Sequence, residues 1–298
     1  MADAQGTSLA GRRVGFIGIG RMGTPISRRL MAAGAELTVF DVIQANMDAL
    51  AAEGATAADS AAAVCRASDA VFSMLPDDGV LLSAVTGAGG VAETLGPGKT
   101  FIDMSTVSPG VSAQVAEALA GTGGAYLRCP VSGSTATAAS GSLAVFCSGP
   151  AEAFEDCREV LAAFSAAQTH FGPAEEARVV KLMINMIVVA TPWLIGEALA
   201  IGGRLGLDWQ DMVDAVGSSV VASPLVVYKV EPMKARDWTP AAPIDLTAKD
   251  LGMALDVAAS NGFELPVSAL LQKTIEGFQA RGEGQEDFFK LVTWPEAE

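Results

Sequence analysis

The 298-residue chain is predicted to fold as an α/β domain over residues 1–173, followed by an all-α domain over 174–298. One long helix at about 174–204 joins them. Three observations predict this. The first part alternates short apolar runs with helical segments, as β-α-β units around a parallel sheet do. The last part has helical periodicity without alternating strands. Between them, Val179-Val180-Lys181-Leu182-Met183-Ile184-Asn185-Met186-Ile187-Val188-Val189-Ala190 is apolar almost all round. A helix of that kind is buried or crosses a membrane.

Val14 to Ile17 is a short apolar run suited to a buried parallel strand. Gly18-Ile19-Gly20-Arg21-Met22-Gly23 follows at once, then a helix from Thr24 to Ala33 ended by Gly34. Glu36 to Asp41 is the next strand, with the acid at its end. Glycines so spaced permit a tight turn and a close approach of backbone N–H groups to a pyrophosphate at a helix N-terminus. A plain glycine-rich turn would leave Asp41 unexplained. At that position a carboxylate accepts hydrogen bonds from ribose hydroxyls and repels a 2′-phosphate, and Val42-Ile43-Gln44 supply no arginine to hold one. NAD is therefore expected over NADP.

Ser60 to Ala67 reads as a helix, Asp69 to Leu75 as a strand stopped by Pro76, and Lys99 to Met104 as a strand ending at Ser105-Thr106. Pro109 opens a helix to about Ala120. Ala125 to Arg128 and Ser142 to Cys147 add strands, with the loop Cys129-Pro130-Val131-Ser132-Gly133-Ser134 between them. Ser, Gly and Pro make turns everywhere. Several such loops on the carboxyl edge of one sheet, where ligands bind in open α/β folds, point to a site. A helix from Ala151 to Phe164 and a strand near His170 complete the domain. Beyond the long helix, helices are predicted at Leu207–Ser218, Pro224–Val230, Thr247–Ser260, Val267–Ala280 and Glu286–Val292.

Half the residues are hydrophobic, enough for a sizeable core, and the net charge is −15. So acidic a surface repels nucleic acid and anionic membrane. Cys65, Cys129, Cys147 and Cys157 show no CxxC spacing and, without a secretory signal, read as reduced cytosolic thiols. The lone histidine, His170, excludes most histidine-based triads and His-rich metal sites, and is expected to be structural.

Lys181 and Asn185 interrupt the apolar run and share one helix face, being four residues apart. A helical lysine usually snorkels to solvent. Among Val, Leu, Met and Ile, with an amide one turn on, it reads instead as a functional pair. Pro192 and Glu197 further interrupt the run, against a membrane span. Lys249-Asp250, taken alone, reads as a solvated feature near a helix start.

Four blocks in order resemble the β-hydroxyacid dehydrogenase family, within the 6-phosphogluconate dehydrogenase superfamily. They are Gly15 through Gly23, Pro130-Val131-Ser132-Gly133, Gly172 through Lys181 and Asn185, and Lys249-Asp250-Leu251. Ser73-Met74-Leu75-Pro76 and Asp103-Met104-Ser105-Thr106 look like its cofactor loops. The resemblance implies a Rossmann-type domain that binds NAD through Gly18, Gly20, Arg21, Met22, Gly23, Asp41, Met74, Leu75, Pro76 and Thr106. It implies Lys181 as catalytic acid/base, Asn185 as its orienting partner, and Ser132, Gly133 and Ser134 around a substrate carboxylate. Lys249 would approach the nicotinamide end from the helical domain. It also implies a homodimer or homotetramer with the all-α domain at the interface. The chain departs from the pattern at Arg128-Cys129, where the family has Asp-Ala, at Ser134, and at Glu175 and Ala177, where it has glycines.

The reaction so implied is hydride transfer between NAD and a small 3-hydroxy acid, with no metal. A free lysine titrates at ~10.4, too high for base catalysis at neutral pH, and burial lowers it. Two rivals share the scaffold: an imine reductase acting on C=N, whose kin place another residue at Lys181, and a non-catalytic dinucleotide-binding module, which needs neither Lys181, Asn185 nor Lys249. Arg128 is read as a second anion contact or a solvent-facing side chain, and Asp245 as a possible partner for an amino group. Trp193, Trp209 and Trp238 are expected in the core.

Overall fold

The computed structural model describes residues 8–296. The chain divides into two compact units, Met1–Lys181 and Leu182–Glu298, with the division inside one helix.

The first unit runs β1 (Arg13–Ile17), α1 (Gly23–Ala32), β2 (Glu36–Phe40), α2 (Gln44–Ala52), β3 (Thr56–Ala57), α3 (Ala61–Ala67), β4 (Ala70–Ser73), α4 (Asp78–Thr86), β5 (Thr100–Asp103), α5 (Pro109–Leu119) and β6 (Ala125–Arg128). These strands form one sheet in the order β3-β2-β1-β4-β5-β6, every neighbour parallel. The chain works outward from β1 to β3, then returns to β4 on the other side of β1. Such a reversal opens a crevice at the carboxyl ends of the strands. Val14, Phe16, Val71, Phe72, Phe101 and Ile102 are buried, as expected of strands covered on both faces. Helix starts follow local chemistry: the hydroxyl of Ser60 caps α3, Asp77 caps α4, and Ser108 caps α5 ahead of Pro109.

The unit closes with β7 (Val131–Ser132), α6 (Thr135–Ala139), β8 (Leu143–Cys147), α7 (Ala151–Ala162) and β9 (Ser165–His170). These strands form a second sheet, β7-β8 antiparallel and β8-β9 parallel. Residues 129–134, read from the sequence as a loop, contain β7. Two-residue strands carry no detectable period. The sequence also gave no sign of α2 and α4, which bury only Met47 and Leu50, and Leu81 and Val85, so no 3.6-residue stripe stands out.

The division falls within α8 (Glu176–Arg204), and α9 (Trp209–Ser218), α10 (Pro224–Val227), α11 (Val230–Ala235), α12 (Ile244–Ser260), α13 (Pro266–Ala280) and a 3₁₀ segment, Phe288–Glu296, follow. No strand occurs in the second unit among the described residues. Val189, Trp193 and Leu199 of α8 pack with Ile244 and Leu251 of α12, Leu271 and Ile275 of α13, and Phe288 and Phe289. Trp193 stacks on Trp294 at 5.1 Å and donates its indole N–H to Thr274. Trp209 and Trp238 also pack against this core. By length and composition α8 could cross a membrane. Its stripe through Val189, Trp193 and Leu199 is instead the spine of the helical core. It is not buried all round: Met183, Ile187, Leu194 and Ile201 are 51–66% exposed and form a second stripe.

Candidate active site

The loops after β1, β2, β4, β5 and β6 leave the same edge of the large sheet, and backbone pairing continues past the strand ends. Gly18 N–H donates to Phe40 O at 2.9 Å, Met74 to Ile17 O at 3.0 Å, Met104 to Ser73 O at 2.9 Å and Cys129 to Asp103 O at 2.7 Å. The expected cofactor residues of the first unit are thereby brought side by side.

The three loop glycines have different reasons. Gly18 has φ +84°, and a Cβ there would lie 2.4 Å from the Met74 carbonyl oxygen. A Cβ on Gly23 would meet the Gly18 carbonyl at 2.2 Å, so this glycine lets α1 close on β1. A Cβ on Gly20 would meet nothing within 4 Å. That open approach to the backbone is what a pyrophosphate needs. Asp41, 9% exposed, accepts Ile19 N–H at 2.9 Å on one oxygen and Ile43 N–H at 2.8 Å on the other. It thus braces the glycine loop, and each oxygen keeps a lone pair for a ribose hydroxyl. Val42 and Ile43 beside it are exposed. These residues fit a nicotinamide dinucleotide.

A buried charge network lies behind the loops after β4 and β5. Asp103 Oδ1 accepts the hydroxyls of Ser73 and Ser105, each at 2.6 Å, and its Oδ2 pairs with Arg178 Nη2. The guanidinium also donates to the Ser105 carbonyl at 2.7 Å, Ser112 Oγ at 3.2 Å and Tyr126 Oη at 3.1 Å. Leu75 N–H donates to Ser105 Oγ at 2.8 Å. Arg178 is 1% exposed and Asp103 0%. Burial opposes the guanidinium charge, but Asp103 and the Tyr126 hydroxyl hold its pKa above the ordinary value. Burial likewise pushes the Tyr126 phenol up, so it stays neutral. Sequence reading missed Arg178. The available signal was a second cation three residues before Lys181, on an adjacent helix face.

Ser132 lies in β7, opposite Ala144, and is partly exposed. Gly133 has φ +145°, and a Cβ would meet Thr137 Oγ1 at 2.3 Å. Ser134 is the N-cap of α6: its N–H donates to Thr137 Oγ1 at 2.7 Å and its hydroxyl accepts Thr137 N–H. This capping box fixes the start of α6.

Lys181, half-buried on α8, ends the first unit. Asn185, one turn on in the second unit, donates its amide N–H to Asp250 Oδ2 at 2.6 Å. A carboxylate can face only the NH₂ end of that amide, so Asn185 Oδ1 is left to accept. Lys249 Nζ lies 3.5 Å from Asp250 Oδ1. Lys249 and Asp250 are therefore not a solvated pair at a helix start. They sit inside α12, and Asp250, 6% exposed, ties α12 to α8.

Other residues are drawn elsewhere. Arg128 neither faces solvent nor stands free for a substrate: it is 6% exposed, pairs with Glu175 and lies over the Tyr126 ring at 4.3 Å. Asp245 is held by Gln279 at 2.7 Å and Gln285 at 2.8 Å. His170 contacts the Gly149 carbonyl at 2.9 Å and stacks on Phe154, as a structural residue does. All four cysteines are free and buried. Among the described residues no cluster of His, Cys, Asp or Glu is arranged to hold a metal.

A doubly wound sheet with an acid-braced glycine loop, followed by a helical unit, defines a dinucleotide-binding oxidoreductase scaffold. Residues 13–172 match the family model for the NAD-binding domain of 6-phosphogluconate dehydrogenase. Residues 176–294 match the one for NAD-binding of NADP-dependent 3-hydroxyisobutyrate dehydrogenase. The chain is 32% identical over 281 residues to 2-(hydroxymethyl)glutarate dehydrogenase of Eubacterium barkeri, covering 94% of this chain and 93% of that one. Among solved structures it resembles 3-hydroxyisobutyrate dehydrogenase of Salmonella typhimurium, with TM-score 0.85, 27% identity and coverage of 94% and 99%. The Mycobacterium tuberculosis 3-hydroxyisobutyrate dehydrogenase with L-serine gives 0.84, 27%, 94% and 97%. An imine reductase of Pseudomonas sp., 21% identical with TM-score 0.60 and coverage of 95% and 98%, shares the fold alone. The chain belongs to the β-hydroxyacid dehydrogenase family. It is an oxidoreductase of hydroxyacid dehydrogenase type that takes a nicotinamide dinucleotide.

Proposed function

We propose that the enzyme transfers hydride between NAD and a small 3-hydroxy acid of the 3-hydroxyisobutyrate kind, with Lys181 as general acid/base. The observation that carries this reading is the polar pair on the apolar helix α8. Lys181 is followed one turn on by Asn185, whose amide is oriented by Asp250 so that its oxygen is left to accept. A binding module has no use for that arrangement, and the imine reductase likeness extends to fold alone.

Bound NAD supplies the hydride acceptor. Residues 1–173 bind it: the backbone at Gly18, Gly20, Arg21, Met22 and Gly23 receives the pyrophosphate, Asp41 the ribose, and the Met74-Leu75-Pro76 and Thr106 loops the nicotinamide end. Ser132 and the Gly133 N–H hold the substrate carboxylate, and Lys249 adds positive charge. In oxidation, neutral Lys181 takes the hydroxyl proton as hydride leaves the carbinol carbon. In reduction, its ammonium returns that proton. Asn185 orients the amine. Asp41 is followed by the exposed Val42 and Ile43 and by Gln44, none of them a base to hold a 2′-phosphate, and this favours NAD over NADP. The exposed stripe Met183, Ile187, Leu194 and Ile201 favours a homodimer or homotetramer, since apolar patches of this kind mark interfaces.

The test is NADH formation from NAD with a panel of three- and four-carbon 3-hydroxy acids at alkaline pH, repeated with NADP. Turnover with NAD on at least one acid, and a lower kcat/KM with NADP, is the expected result. NADH binding without turnover on any acid or its aldehyde counterpart contradicts it.

A further inference from the structure

We propose that Arg178 is a positioning residue for this reaction, setting the register of Lys181 against the loops that follow β4 and β5. The proposal rests on the reading of Lys181 as the proton carrier.

Three ties hold the start of α8 within the first unit. Ser148 Oγ donates to the Ala174 carbonyl at 2.7 Å and accepts Ala177 N–H at 3.2 Å. Arg128 pairs with Glu175. One reaches the residue after β8 and the other the end of β6, and they would by themselves anchor the helix. The third tie is different in reach. Arg178 spans to the carboxyl ends of β4 and β5, where Asp103 gathers Ser73 and Ser105. Ser105 is the relay: its carbonyl accepts from Arg178, and its hydroxyl donates to Asp103 while accepting Leu75 N–H. One guanidinium therefore fixes Leu75, the backbone beside Thr106, and the helical turn that leads to Lys181.

Folding alone does not call for a buried ion pair here, because apolar side chains of the same volume serve a core as well or better. What the planar guanidinium adds is direction. Its donors are aimed at four acceptors on β5, the Ser105 loop, α5 and β6, and none can shift without losing a charge-assisted bond. Lys181 lies three residues on, on an adjacent helix face. A displacement of Lys181 by about 1 Å relative to the nicotinamide loops is enough to cost ~10²-fold in rate.

The experiment uses the full chain and four variants: Arg178→Lys, Ser105→Ala, Lys181→Ala, and Lys181→Ala with Arg178→Lys. Ser105→Ala keeps the charge pair and the carbonyl bond to Arg178 and removes only the hydroxyl that joins Asp103 to Leu75 N–H, so it tests the idea should Arg178→Lys fold poorly. Readouts are melting temperature, NADH affinity by fluorescence, the pH profile of kcat, and rescue of the Lys181→Ala forms by a small primary amine. The expected result is ~10–100-fold lower kcat for Arg178→Lys and Ser105→Ala, with NADH affinity within about threefold and a displaced pH profile. Amine rescue should reach the same rate with or without Arg178→Lys, because a diffusing amine needs no positioning. If folded Arg178→Lys and Ser105→Ala keep wild-type kcat and pH profile, the proposal falls. It falls equally if Arg178→Lys lowers the amine-rescued rate as much as the native one, since the role is then general. Full turnover by Lys181→Ala would overturn the underlying reading instead.

Discussion

Arg128 and Glu175 form one buried ion pair, Nε to Oε1 2.9 Å, between the end of β6 and the residue before α8. Both stand where the family pattern has other residues, an acid and a glycine. The two departures are thus one feature: a base at the strand end answered by an acid at the helix start. Breaking it should cost about 3 kcal/mol for either Arg128→Ala or Glu175→Ala, because the partner is left charged and largely buried. The double variant should recover much of that loss. Urea unfolding of the three variants measures the coupling, and two neutral single variants would contradict it.

Glycines with different geometry should fail differently. Gly18→Ala forces a side chain onto a positive φ and against the Met74 carbonyl, so it should lower the melting temperature. Gly20→Ala meets nothing within 4 Å and should melt like the wild type, yet bind NADH more weakly. Thermal melts beside fluorescence titrations separate the two.

Asp41→Ala should raise the KM for NAD by ~10-fold or more, as loss of a charge-assisted hydrogen bond implies, and narrow the gap to NADP. The comparison of the two Michaelis constants is the readout. Because Asp41 also takes the Ile19 and Ile43 N–H groups, Asp41→Asn should fold better than the alanine form.

Buried thiols set an alkaline limit on stability. Burial pushes Cys157 up to about 11 and raises Cys129 well above its ordinary value. A group whose folded pKa is raised favours the folded state below its unfolded pKa, and that preference is lost as pH climbs through the folded pKa. The melting temperature should therefore fall between about pH 9 and 11, and fall less for Cys157→Ala. Thiol-specific reagents should react slowly with the native protein and with all four cysteines after unfolding.

How legible each part was follows from the physics of its signal. The glycine loop, Asp41 and the strands β1, β2, β5 and β6 could be read because backbone geometry and two-sided burial leave short, distinct patterns. The helical unit was legible from its periodicity. The Arg178–Asp103 network was not, since its members come from β4, β5, α5, β6 and α8, and only folding brings them together. Asp250 was hidden for a related reason: a charged pair in a sequence looks solvated until the helix opposite supplies Asn185. The apolar α8 misled on burial, because composition does not separate a core stripe from an exposed one.

The most direct measurement is single-substrate turnover by Lys181→Ala beside its affinity for NADH. Turnover should fall by ~10²–10⁴-fold, as for removal of a general acid/base, with NADH affinity nearly unchanged. Full turnover by Lys181→Ala would contradict the central assignment.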